Sequence, residues 1–129
     1  MNAQVDALLR LLRGYPLVQS VRIVNYDETP QGKLEIKIRC HLAQNYQLQV
    51  WLHLEPQSFD YAYQLFSTQP ILRWDNAPHY PQLVTAPHHF HDDMRNVVAS
   101  PLTGDLLADT SIVLVQVENW LESRRTKRD

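Results

Sequence analysis

Four of the six histidines fall within thirteen positions: His79, His88, His89 and His91. The stretch that holds them runs Arg73-Trp74-Asp75-Asn76-Ala77-Pro78-His79-Tyr80-Pro81 and then Thr85-Ala86-Pro87-His88-His89-Phe90-His91-Asp92-Asp93. Imidazole changes charge near neutral pH and is the commonest metal ligand, so two chemistries suit this density. In one, His79 and one of His88, His89 or His91 act as general base and general acid on an RNA phosphodiester, with Arg73 stabilising the phosphorane. In the other, His89 and His91, two apart and so on one side of an extended segment, join His79 and Asp75 or Asp92 around a divalent metal that activates water. The H-E-x-x-H and paired C-x-x-C patterns are absent, so the sequence requires no metal. A third account is structural. Asp75-Asn76 and the prolines would build an Asx-type turn and a rigid corner, with the imidazoles capping backbone groups or packing on Trp74, Tyr80 and Phe90. Loops this dense in polar and aromatic side chains more often carry function.

The flanking pattern says what must hold this segment. Val5, Leu8, Leu9 and Leu12 sit at the spacing of one helical face, predicting a helix over Asn2 to Arg13 with Gly14 as its stop. Val18 to Asn25 is β-branched and predicts a strand, followed by turn residues from Asp27 to Gly32. Leu34, Ile36, Ile38, Cys40 and Leu42 alternate with Glu35, Lys37, Arg39 and His41, and after a reversal at Asn45 the alternation resumes from Gln47 to Leu54. Two further strands, Phe59 to Phe66 and Ile71 to Trp74, come next. The prolines between Asn76 and Pro87 exclude a central strand or helix there. Asp109 to Arg125 predicts a closing helix with Val113, Val117, Trp120 and Leu121 on one face. The expected fold is therefore α+β: an antiparallel meander of about five strands flanked by an N-terminal and a C-terminal helix. Its second face would carry Lys37, Arg39, His41, Gln47, Gln49, Trp51 and His53. His41 and His53 read as exposed strand residues, Cys40 as a buried inert thiol, and Trp51 as a ring that packs on a partner or stacks a base.

With 129 residues the chain suits one domain, 1–129, and its longest apolar runs are far too short to span a bilayer. An N-terminus without an export signal and a single cysteine point to the cytoplasm. Four basic residues crowd a C-terminal tail at 124–129, read as a frayed helix end. Without that tail the body holds 8 basic against 13 acidic residues, which argues against broad, sequence-blind nucleic-acid binding but leaves room for a local basic groove.

The run Arg73-Trp74-Asp75-Asn76-Ala77-Pro78-His79, with Thr85, Pro87-His88-His89 and His91 after it, resembles the signature of the TumE family of toxins from bacterial toxin–antitoxin pairs. Three positions depart from the family pattern: Tyr80 stands where a histidine is expected, Ala86 where an aromatic is, and Phe90 where a basic residue is. The resemblance implies a toxin paired with a cognate antitoxin protein, for which cleavage of RNA is the commonest mode of action among small toxins. On that expectation Asp75, His79, His88, His89 and His91 are candidate catalytic residues, and Arg73, Trp74 and Asn76 candidate substrate contacts. His79, His89 and His91 are the candidate ligands if a divalent metal binds. The alternative is a non-catalytic interaction module, in which the segment from 75 to 93 is a structural corner and the open sheet face docks a protein. Pairing of an exposed edge strand would make a homodimer reasonable.

Overall fold

A computed structural model of the chain describes residues 2–128, with side chains as far as Arg125. Its elements are α1 (Ala3–Gly14), β1 (Ser20–Glu28), β2 (Leu34–His41), a 3-10 turn (Ala43–Asn45), β3 (Gln47–Glu55), β4 (Ser58–Phe66), β5 (Pro70–Asp75), β6 (His89–His91), β7 (Val97–Ala99) and α2 (Leu106–Arg128). The seven strands form one sheet in sequence order, each antiparallel to the next. This is the α+β meander that the alternation predicts, lengthened by two short strands. β6 and β7 escape a search for alternating apolar residues because each is three residues long and owes its place to strand pairing, β6 with β5 and β7 with β6.

Strict period-two patterning in β2 and β3 buries Leu34, Ile36, Ile38 and Cys40 against Leu48, Val50 and Leu52, and register extends these rows through Tyr63 and Leu65 to Leu72 and Trp74. Both helices cover this face. α1 is capped by the Asn2 side chain, which accepts from the Gln4 and Val5 amides, and buries Val5, Leu8, Leu9 and Leu12. α2 buries Val113, Leu114 and Val117, and hydrogen bonds tie it to the sheet: the Trp74 indole N–H donates to Gln116, and Tyr63 bonds Thr110. The helix begins three residues before Asp109, because Asp105 caps it through the Ala108 amide and Leu106 already packs on the core. Arg124, expected in a solvated tail, instead pairs with Asp93 in the β6–β7 turn at 2.7 Å and lies over the Trp120 ring. The side chains from 126 to 129 lie outside the described residues.

Burial pushes the Cys40 thiol up to about 12. An aromatic disulfide reagent at pH 8 should therefore label Cys40 only after unfolding, with a rate that follows the denaturation curve. Labelling of the native protein at the rate of a free thiol would contradict this burial.

Candidate active site

β5 ends in Arg73-Trp74-Asp75, and alternation sends Trp74 into the helix-covered core while Arg73 and Asp75 emerge on the opposite, open face. β6 lies beside it in a register that sets Asp75 against His89 and Arg73 against His91. Two residues apart on one strand, His89 and His91 share that open face, with ring centroids 5.0 Å apart. Directly paired side chains on adjacent strands are near neighbours, so a cluster forms on rigid backbone.

The contacts are specific. Asp75 Oδ1 lies 2.9 Å from His89 Nε2 and accepts from the Ala77 amide at 2.9 Å, while Oδ2 accepts from Arg73 Nε at 2.8 Å. Arg73 Nη1 also donates to Gln64 on β4 at 3.0 Å. His89 is 1% exposed, and its Nδ1 sits 3.0 Å from the Pro87 carbonyl. His91 is half-buried, and burial together with neighbouring His89 lowers its pKa from the ordinary imidazole value, favouring the neutral ring with a free lone pair. Tyr80 packs on both imidazoles, with its centroid 4.7 Å from His89 and 5.9 Å from His91. The phenol occupies the space beside the cluster. The ligand-type atoms of Asp75, His89 and His91 all lie within 4.8 Å of one another, so these three could hold a metal ion.

The other candidates lie elsewhere. His79 is exposed, and its backbone amide donates to the Ala77 carbonyl. His88 points to the helix side, where Nδ1 bonds the Tyr61 hydroxyl at 2.7 Å and the ring stacks on Tyr61. Trp74, named as a substrate contact, is fully buried on that same side and faces α2. Asn76 uses its amide as a surrogate ladder, donating to the Phe59 carbonyl and accepting from the Tyr61 amide where β5 stops. Consecutive His88 and His89 therefore face opposite sides of the sheet. His88→Ala would leave the buried Tyr61 hydroxyl without its partner, which should cost about 1–3 kcal/mol in a thermal or denaturant melt. An unchanged melting curve would mean that this bond adds nothing.

Beside the cluster is a pocket of about 290 Å³ between Trp51 on β3 and Arg73–Asp75 on β5, with small Ala62 of β4 between them and Asp60, Asn76 and Pro78 on its rim. The Trp51 indole is held by an N–H bond to Glu35. Sequence reasoning singled out Trp51 by alternation, but it had no signal that Ala62 opens a gap next to Arg73, since that depends on the registers of three strands.

The family profile described as Toxin TumE matches residues 8–124. No curated protein and no solved structure matches the chain. A match over nearly the whole length places the chain in the TumE toxin family, whose members in general work opposite an antitoxin.

Proposed function

We propose that this toxin acts by cleaving RNA at the Asp75–His89–His91 cluster, with Arg73 binding the phosphodiester. The observation that carries this is the convergence, on the sheet face opposite the helices, of a half-exposed guanidinium and the half-buried His91 with the buried Asp75 and His89 behind them. Phosphodiester cleavage needs a group to activate the attacking oxygen and a cation to stabilise charge on the phosphorane, and these residue types supply both. The pocket between Trp51 and Arg73 supports a nucleic-acid substrate, because an indole wall next to a phosphate-binding cation suits a base stacked beside its own backbone. Lys37, opposite Trp51, and Arg39, opposite Gln49, add positive charge on the same face despite the acidic balance of the whole chain.

The test is growth after induced expression, together with integrity of a labelled single-stranded RNA incubated with the purified protein and a divalent salt. Wild type should arrest growth and cut the RNA, and His91→Ala should do neither at matched soluble levels. RNA that stays intact while growth still stops would move the target to another molecule. Trp51→Ala should weaken binding of the same RNA by about 5- to 150-fold, the range for one stacked base. Unchanged affinity would remove the pocket from the substrate path.

A further inference from the structure

We infer that Asp75, His89 and His91 form a site for one first-row divalent cation, such as Zn²⁺ or Mn²⁺, with Arg73 and the Pro87 carbonyl as its supporting shell. A neutral imidazole has one N–H, and in His89 Nδ1 faces the Pro87 carbonyl at 3.0 Å while Nε2 faces Asp75 Oδ1 at 2.9 Å. With the hydrogen on Nδ1, the Nε2 lone pair and a carboxylate oxygen meet at hydrogen-bond distance, and a cation must reconcile them. A proton would do so, and so would a metal.

The surroundings suit the metal. Histidine ligands characteristically donate their other ring N–H to a carbonyl or carboxylate, which fixes the tautomer and aims the coordinating nitrogen. His89 is held in this way at 1% exposure. Asp75 is oriented by the Arg73 guanidinium on Oδ2 and by the Ala77 amide on Oδ1. His91 supplies the third donor from the same strand as His89, with all ligand atoms within 4.8 Å. Two imidazoles and one carboxylate match the preference of first-row divalent ions for mixed nitrogen and oxygen donors. Three protein ligands also leave coordination positions open, as in catalytic rather than structural sites. Half-buried His91 puts that open side toward solvent and next to Arg73. Of the ligands suggested by sequence, Asp75, His89 and His91 are in the group and His79 is not. The ion would supply Lewis-acid chemistry to a phosphodiester oxygen. That use rests on the RNA-cleaving function, whereas binding of the ion does not.

The test uses full-length protein stripped by a chelator and titrated with Zn²⁺, Mn²⁺ or Co²⁺ in the absence of RNA, followed by calorimetry, melting temperature and the Co²⁺ visible spectrum. Expected are one equivalent bound, a raised melting temperature and Co²⁺ bands in the wild type. His91→Ala and Asp75→Asn should each weaken binding by about 100-fold or more. His41→Ala, at an exposed strand position, should change nothing. Absence of saturable binding in the wild type overturns the site, as does binding that survives His91→Ala and Asp75→Asn in proteins whose circular dichroism shows them folded. A bound metal with intact RNA would retain the site and reject the substrate.

Discussion

Arg73→Ala should lower the rate of RNA cleavage by about 10²- to 10³-fold, the range for removing one preorganised donor from a developing charge, and should release the growth arrest with it. The fold should survive. The Arg73 side chain is 41% exposed, and its ion pair with Asp75 therefore contributes little to stability, at most about 1 kcal/mol. Asp75 would keep the Ala77 amide and His89. Arg73→Lys should rescue poorly, because the guanidinium bridges Asp75 through Nε and Gln64 through Nη1 and still has Nη2 to offer a phosphate. An ammonium is a single point and cannot hold two anchors while presenting a third donor. Single-turnover cleavage of a labelled RNA, with melting curves for each variant, separates the effects. A folded Arg73→Ala protein that cuts at the wild-type rate would show that the guanidinium only orients Asp75.

Periodicity made most of the fold legible. In β2 and β3 one face is fully buried, so selection for burial writes itself into every second residue from Leu34 to Leu52. Periodicity likewise marks α1, where Val5, Leu8, Leu9 and Leu12 are all buried. It failed at β6 and β7, where a three-residue strand has no room for a pattern. It also failed for the C-terminal half of β1, where Asp27 and Glu28 continue an edge strand past a bulge between Ile23 and Asn25. Edge strands can carry turn-like polar residues because, among the described residues, one side of β1 has no strand partner.

The candidate site was legible by composition but not by membership. A cluster of histidines at 79–91 says that something is built there, and the two-residue spacing of His89 and His91 put them on one side. The same alternation sends His88 to the side opposite His89, but the sequence held no sign of which side the helices cover. That divergence follows from His89 opening β6 opposite Asp75 while His88 precedes it against Tyr61. The corner and the cluster are thus separate parts of one segment. Thr85 donates to the His88 carbonyl and accepts from the Ser100 amide, and His88 stacks on Tyr61, a ring outside the expected set of Trp74, Tyr80 and Phe90. Tyr80, a departure from a family pattern and one of the rings on which imidazoles were expected to pack, packs on both imidazoles of the cluster.

A further residue hid in plain view, and it supports the largest stability prediction. Asp109 reads as an ordinary helix-start acid, yet it is fully buried, and its two oxygens hold the β7–α2 loop: Oδ1 accepts from the Thr103 amide at 2.9 Å and Oδ2 from the Gly104 amide at 2.8 Å. It sits in the first turn of α2, where the helix dipole favours negative charge, beside Thr110, whose hydroxyl bonds Tyr63 in the sheet. Gly104 has φ +96°, a conformation that an amide bond to Asp109 helps to hold. Asp109→Asn keeps size and shape but replaces one acceptor oxygen with an NH₂ aimed at a backbone N–H and removes the charge. Losing a buried, charge-assisted acceptor should cost about 2–4 kcal/mol, with the melting temperature falling roughly 3–6 °C for each kcal/mol. Asp105→Ala, which removes an exposed cap from the same helix, should cost only about 1 kcal/mol. If the two variants melt together, Asp109 is not the clamp that its geometry describes. If Asp109→Asn falls well below, the junction between sheet and helix depends on one carboxylate, and the His88 corner, whose ring lies 3.6 Å from where a Gly104 side chain would begin, should loosen with it.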